Sequence, residues 1–107
     1  MQSKTISLLA AASLCLFGCK QATELANHGK HYQQHQDYYS LNQVVELLPE
    51  GADTSLVKML LGDPIDMGFD YRYTVDSTGP NGCVIGAVFH IGDDGKIDQK
   101  WLDEICE

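Results

Sequence analysis

Histidines concentrated in one short stretch are the first residues of this chain that could do chemistry. His28, His31 and His35 fall close to the i, i+3 and i+7 positions of one helical face, and Asp37 follows them. Imidazole and carboxylate groups at this spacing can bind Zn²⁺ or Cu²⁺ weakly. A structural site needs a rigid and closed set of ligands, whereas these residues lie in a polar stretch. A histidine-rich linker is therefore the favoured interpretation, and no metal or cofactor is expected.

Catalytic groups are not indicated elsewhere in the sequence. His90 lies near Asp98 and offers a general base, but a histidine in a predicted strand is more often a surface or half-buried residue. Ser77 and Thr78 have no base marked beside them. The sequence also has no Gly-x-Ser-x-Gly elbow, no His-Glu-x-x-His pair and no phosphate-binding glycine loop. A non-enzymatic protein is predicted.

The first residues have the pattern of an export signal. Lys4 precedes an apolar run from Ile6 to Phe17, which is too short to cross a hydrocarbon core about 30 Å thick. The run Leu16-Phe17-Gly18-Cys19 resembles the bacterial lipobox, in which the cysteine is diacylated before the signal is cut. The resemblance implies a signal peptide over residues 1–18 and a lipidated Cys19. An ordinary secretory signal is the alternative.

A lipidated Cys19 would decide where the protein resides. Each buried methylene group contributes about 0.8 kcal/mol, so two or more acyl chains such as palmitate give stable anchoring. Lys20 follows the cysteine. An aspartate there resembles a signal for inner-membrane retention, so Lys20 favours the outer membrane, with the protein facing the periplasm.

Two cysteines remain once Cys15 leaves with the signal and Cys19 carries lipid. Cys83 and Cys106, in an exported chain, most simply form one disulfide. Closing a loop of about 24 residues stabilises the fold by about 3 kcal/mol in the chain-entropy model. Two free thiols or a redox pair are the alternatives, and the absence of Cys-x-x-Cys spacing disfavours the redox pair.

The charge of the chain limits its partners. The formal net charge is −8, and most acidic residues lie after residue 40. Nucleic acid is excluded as a partner because its phosphates would repel this surface. The negative electrostatic potential of this surface favours a basic protein partner, or it serves only to keep the protein soluble.

The residues discussed above belong to a tether and one small domain. Residues 19–39 contain few large aliphatic side chains and predict a flexible tether. Residues 40–107 predict the folded domain. It opens with a helix capped by Ser40 that stops before Pro49, and a second helix capped by Asp53 or Thr54 follows.

Three strands follow the helix pair, over residues 70–75, 83–91 and 96–102, with a tight turn at Gly92–Gly95. Alternation places Tyr71 and Tyr73 towards the core and Arg72 outward, and leaves Trp101 undecided. The predicted fold class is α+β, with a helix hairpin packed on a three-stranded antiparallel meander.

The run GADTSLVKMLLGDP, residues 51–64, resembles a family signature, Gly-x-(Thr/Ser)-x-x-x-Val-x-x-Leu-(Leu/Ile)-Gly-x-Pro. The family is the SmpA/OmlA (BamE-like) group of outer-membrane lipoproteins. Its OsmE-like members also carry two cysteines in the β part. Asp53 stands where the family usually has threonine or serine. The resemblance implies an ααβββ domain, a unit that recurs in the β-lactamase inhibitor protein, with a role in outer-membrane assembly or maintenance.

Two classes of function are expected. The first is a non-catalytic accessory that binds another envelope protein. The second is an inhibitor or immunity-type lipoprotein that binds a secreted or periplasmic enzyme such as lysozyme, whose basic surface would suit the acidic domain. A metal buffer built on the histidines is a weaker third class. Arg72 and Trp101 are the candidate partner-binding residues, because Trp and Arg side chains are enriched in binding hot spots.

Overall fold

The fold is α+β, as the sequence predicts, with three helices followed by a four-stranded antiparallel sheet. The structure is a computed structural model that describes the backbone from Gln2 and the side chains from Cys19. The predicted signal peptide, residues 1–18, lies outside the described side chains. Among the described residues no helix has the length and apolarity needed to cross a membrane. The elements are α1 (Gln2–His35), α2 (Tyr38–Leu47), α3 (Thr54–Leu61), β1 (Ile65–Asp66), β2 (Asp70–Thr78), β3 (Val84–Ile91) and β4 (Ile97–Ile105).

The prediction of a flexible tether over residues 19–39 is wrong. Most of this stretch is the C-terminal half of α1, and the Leu25 and Tyr32 side chains are each only 4% exposed. Leu25, Gly29 and Tyr32 lie at i, i+4 and i+7, so they form one narrow buried stripe. The folded unit therefore begins well before Ser40, and the count of elements exceeds the predicted helix pair and three strands.

Polar side chains explain why a stretch with so few aliphatic residues packs as a helix. Gln21 Nε2 donates to the Leu47 carbonyl at 3.2 Å, and Gln33 Nε2 donates to the Leu60 carbonyl at 2.8 Å. The Tyr32 hydroxyl donates to the Thr74 carbonyl at 2.6 Å, and burial raises the pKa of Tyr32 to about 12. These hydrogen bonds pair the polar groups where α1 contacts the rest of the domain, so the polar composition of this stretch does not prevent it from packing.

Helix α2, which corresponds to the first of the two predicted helices, starts earlier than predicted. Asp37, not Ser40, is the N-cap of α2, and its carboxylate accepts a hydrogen bond from the Ser40 backbone N–H at 3.0 Å. Ser40 is a buried residue inside the helix. Asp53 occupies the N-cap position of α3 but makes no side-chain capping hydrogen bond, because its carboxylate accepts from Lys96 Nζ at 2.9 Å; Gly62, with φ of 85°, is the C-cap.

The strands follow one another in the order β1-β2-β3-β4, so β4 is an edge strand. Tyr71, Tyr73 and Val75 of β2 and Phe89 of β3 are buried in the core under the helices. We call this side the inner face and the opposite side the outer face. Phe89 is fully buried and packs edge-to-face with Tyr73, with ring centroids 5.9 Å apart.

Lys100 joins the sheet to α2. Its Nζ donates to the carbonyls of Val45, Glu46 and Leu48, at the C-terminal end of the helix, and the bond to Leu48 measures 2.7 Å. Burial lowers the pKa of Lys100, while Glu50 and Glu46 act in the opposite direction. A cation there satisfies carbonyl groups that lack a partner within the helix and complements the helix dipole.

Candidate functional site

The outer face of the sheet carries both candidate partner-binding residues. Arg72 of β2 pairs in register with Val88 of β3, and Val88 pairs with Trp101 of β4. Residues paired in this way point to the same side of a sheet, so the three side chains form one row across three strands. Arg72 and Trp101 therefore lie on one surface, about 10 Å apart at the backbone.

The middle of this row is desolvated. Val88 is 4% exposed although it points away from the helices, whereas Trp101 at the end of the row is 44% exposed. Arg72 and Trp101, whose residue types are enriched in binding hot spots, therefore flank a valine that is already buried within the domain. Sequence reasoning had missed Val88, although the nearly continuous apolar run of β3 indicates a strand that is covered on both faces.

Arg72 is held rigidly by two carboxylates. Its Nε donates to Asp70 Oδ1 at 3.1 Å, and its Nη1 donates to Glu107 Oε1. The hydrogen bond to Asp70 raises the pKa of Arg72, burial lowers it, and Glu107 raises it further. Asp70 is itself 3% exposed, so this carboxylate is buried only because the guanidinium compensates its charge. A rigid arginine loses little side-chain entropy when a partner binds beside it.

Apolar side chains surround Arg72 on the β1 side. Ile65 pairs in register with Arg72 and is 54% exposed, and Met67, two residues later, is also exposed. A depression of about 240 Å³ opens next to them on the outer face. It is lined by Ile65, Met67, Arg72, Thr74, Val84, Ile105 and Glu107. The outer face thus combines exposed apolar groups with one fixed ion pair, as protein-binding surfaces do.

The far end of the outer face is fixed by a disulfide. Cys83 and Cys106 have their sulfur atoms at bonding distance, as predicted, with Cα atoms 5.3 Å apart. Glu104 accepts hydrogen bonds from the backbone N–H groups of Asn81 and Cys83, at 3.0 Å and 3.2 Å from its Oε2. The loop between β2 and β3 is therefore tied to β4 by both a covalent and a polar link.

The predicted histidine cluster has a structural role where the structure resolves its contacts. His31 Nδ1 lies 2.9 Å from Asp37 Oδ1 and 2.8 Å from Ser40 Oγ. Both contacts use one ring nitrogen, whereas a catalytic triad needs the two nitrogens separately. Partial burial raises the pKa of Asp37, but hydrogen bonds from the Ser40 backbone, the Ser40 hydroxyl and His31 outweigh it and lower the pKa to about 2.

The three histidines do not converge as metal ligands. The His31 and His35 rings lie 4.4 Å apart between centroids, while His28 contacts the edge of the Tyr39 ring. Over residues 19–107, the one group of three potential ligand atoms within 4.8 Å of one another is Cys83, Glu104 and Cys106. The sulfurs of that group are joined in the disulfide and are not thiolates.

His90 is paired across the sheet rather than with a nucleophile. Its Nδ1 lies 2.7 Å from Asp98 Oδ1, and both side chains are substantially exposed. No hydroxyl or thiol is recorded in hydrogen-bond contact with the His90 ring in the described part of the chain. The arrangement is that of an exposed cross-strand ion pair.

Comparison with protein-family models, with curated proteins and with solved structures finds no match to this chain.

Proposed function

We propose that this protein is a lipid-anchored, non-catalytic accessory of the bacterial envelope that binds another protein through the outer face of its sheet. The observation that carries the proposal is the row of Arg72, Val88 and Trp101, a desolvated centre between a fixed cation and an exposed indole. The exposed apolar residues beside Arg72 extend this surface.

The family proposed for the chain is the SmpA/OmlA (BamE-like) group. Two helices, α2 and α3, followed by the three long antiparallel strands β2, β3 and β4 support an ααβββ unit of that kind. In this proposal the C-terminal half of α1 and the two-residue strand β1 are additions to the unit. The lipobox-like run before Lys20 supports the same assignment.

The anchor is proposed to be Cys19, on the periplasmic side of the outer membrane. Cys19 is exposed on α1, and Gln21, two residues later, already bonds to α2. Two residues of helix advance the chain by about 3 Å. Lipid on Cys19 would therefore hold the domain directly against the bilayer, without the flexible leash that the sequence predicts.

Cross-linking tests the proposal in cells. A photo-reactive amino acid at Trp101 is expected to capture a defined envelope protein, while one at the exposed Glu24 of α1 serves as the matched control. Mass spectrometry of the purified protein is expected to find acyl chains on residue 19. Capture of no partner from the outer face would contradict the protein-binding role. An unmodified Cys19 would contradict the lipid anchor.

A second candidate function is an inhibitor or immunity-type lipoprotein for a basic enzyme. The net charge of −8 favours such a target, because opposite charge accelerates and orients association. The test is lysozyme activity with an excess of the purified protein. Undiminished activity would remove this form of the proposal, and loss of activity that the Trp101→Ala variant reverses would support it.

A further inference from the structure

The free edge of β4 is the longest open strand edge in the described chain. Only its first residue is covered, because the Ile97 N–H donates to the Ala52 carbonyl at 2.8 Å and the Gly51 N–H donates to the Ile97 carbonyl at 3.2 Å. From Gln99 to Ile105 the backbone forms hydrogen bonds to β3 and to no other backbone segment of the described chain, although the Glu104 N–H also donates to Asp103 Oδ1 at 2.7 Å. A row of unpaired backbone groups is a template for one more strand.

Protection against such pairing is partial at this edge, because Lys100 is an inward-pointing charge that bonds to the carbonyls of α2. Natural sheets block their edges with proline, with inward-pointing charges or with a covering element. Between Gln99 and Ile105 there is no proline, and the edge carries the half-exposed Trp101. The one bulge, where Ile97 and Gln99 face successive residues of β3, lies at the covered end.

A groove of about 240 Å³ lies at the Ile97 end of this edge, between β4 and the turn after α2. Its lining residues are Pro49, Glu50, Ile97, Asp98, Gln99 and Lys100. Lys100 is occupied by the carbonyls of α2, so the charges that face the groove are Glu50 and Asp98, of which Asp98 also contacts His90 at 2.7 Å. Further along β4 lie Asp103 and Glu104, of which Glu104 is engaged by the backbone of Asn81 and Cys83. A strand that enters here meets carboxylates, which are compatible with lysine or arginine side chains.

A second copy of the chain is a poor occupant. Each copy has a formal net charge of −8, so two copies repel one another. An antiparallel pairing centred on Trp101 would also place Asp98 of each copy opposite Glu104 of the other. Like charges directly opposite one another destabilise a strand pair.

We propose that β4 accepts an extended segment of a partner protein as a fifth strand, and that this segment carries lysine or arginine at alternate positions. The added strand would lie next to Trp101 and continue the row of Arg72, Val88 and Trp101 by one residue. The backbone edge supplies hydrogen bonds, the indole supplies apolar contact, and the groove selects for positive charge. This inference rests on the proposed function in one respect, that the domain binds another protein.

The test uses the purified full chain in non-ionic detergent and a synthetic peptide of nine residues that alternates lysine with valine. The peptide is expected to bind at least tenfold more tightly than a glutamate–valine peptide of equal length, with amide protection from hydrogen exchange confined to residues 99–105. Equal binding of the two peptides, binding of neither, or protection elsewhere would overturn the proposal. Self-association through β4 without peptide would overturn it in favour of a second copy.

Two matched sets of variants sharpen the result. Methylation of alternate peptide nitrogens gives two isomers, and strand addition requires one isomer to bind as before and the other to lose at least tenfold. The Glu50→Gln/Asp98→Asn variant is expected to weaken binding about fivefold, whereas the control Glu24→Gln/Asp76→Asn, with the same change in charge, changes it less than twofold. Equal losses in either set contradict the proposal.

The outcome separates the two proposals. Failure of the peptide with a partner still captured at Trp101 in cells would discard strand addition and keep the binding function. Success of the peptide with no capture in cells would discard the envelope function and keep the β4 site.

Discussion

Gly29 of α1 lies against the backbone of Leu60 of α3, so closely that a Cβ atom on Gly29 would stand 2.4 Å from the Leu60 carbonyl oxygen. Gln33, one turn later on the same helix, donates to that oxygen at 2.8 Å. The two residues fix the distance at which α1 crosses α3. They are the most direct sign that residues 20–35 belong to the folded domain.

The Gly29→Ala substitution is therefore expected to destabilise the protein by about 1–3 kcal/mol, because the added methyl group would push the backbone of α1 away from the backbone of α3. Replacing glycine by alanine within a helix normally stabilises it by about 0.5–1 kcal/mol, so the expected sign is the opposite of the usual one. Urea unfolding of the purified protein measures the change. Asn27→Ala, at an exposed position of the same helix, is the control and should be neutral or slightly stabilising. A more stable Gly29→Ala protein would mean that α1 is not packed there.

The sequence could predict those parts of the fold in which an apolar pattern alone decides the structure. The stripes of α2 and α3 and the alternation of β2 carry their own periodicity, so Tyr71, Tyr73 and Val75 could be assigned to the core. The tight turn between β3 and β4 could be placed from its glycines, and Gly95 there has a positive φ of 77°. The disulfide could be predicted by counting cysteines.

The remaining features depend on tertiary contacts that no local pattern displays. The buried stripe of α1 contains only one aliphatic residue, Leu25, and its stability depends on hydrogen bonds from Gln21, Tyr32 and Gln33 to distant carbonyls. Composition therefore indicated a tether. Asp37 could have been chosen over Ser40 as the cap, since both types cap helices equally well.

The candidate binding surface likewise has features that the sequence predicts and features that depend on tertiary contacts. Alternation placed Arg72 on the outward side, but only the register across β3 brings it into one row with Trp101. The two carboxylates that hold Arg72 come from positions two and thirty-five residues away, and the more distant one has no local signal. The resemblance to a lipoprotein family remains a proposal.

Lys100 provides a second stability test. The Lys100→Met substitution keeps most of the aliphatic side chain and removes the ammonium group that bonds to the carbonyls at the end of α2. Leaving those carbonyls without a donor is expected to cost about 1–3 kcal/mol in urea unfolding. Lys96→Met is the matched control, because the ion pair of Lys96 with Asp53 is exposed and should contribute less than about 1 kcal/mol. Equal effects of the two substitutions would contradict the capping role.

The disulfide gives a third prediction. Replacing both Cys83 and Cys106 by serine is expected to lower the free energy of unfolding by about 3 kcal/mol, because the loop that they close spans a sequence separation of 23 residues. A reductant should lower the urea midpoint of the natural protein towards that of the variant and leave the variant unchanged. An unchanged midpoint for the natural protein under reducing conditions would show that the pair contributes nothing to stability.

Asp37 predicts how stability depends on pH at the start of α2. Its pKa in the folded protein is about 2, below the value of about 3.9 expected for an unfolded chain. A lowered pKa means that the contribution of Asp37 is fully present above about pH 4 and is lost as the pH falls through 2. Asp37→Ala is thus expected to cost about 1 kcal/mol at pH 7, and this difference should shrink between pH 4 and pH 2. Asp37→Asn keeps a capping oxygen without the charge, so its stability at pH 7 should lie between those of the natural protein and Asp37→Ala. A difference between the natural protein and Asp37→Ala that stays constant down to pH 2 would show that the carboxylate charge has no part in capping the helix.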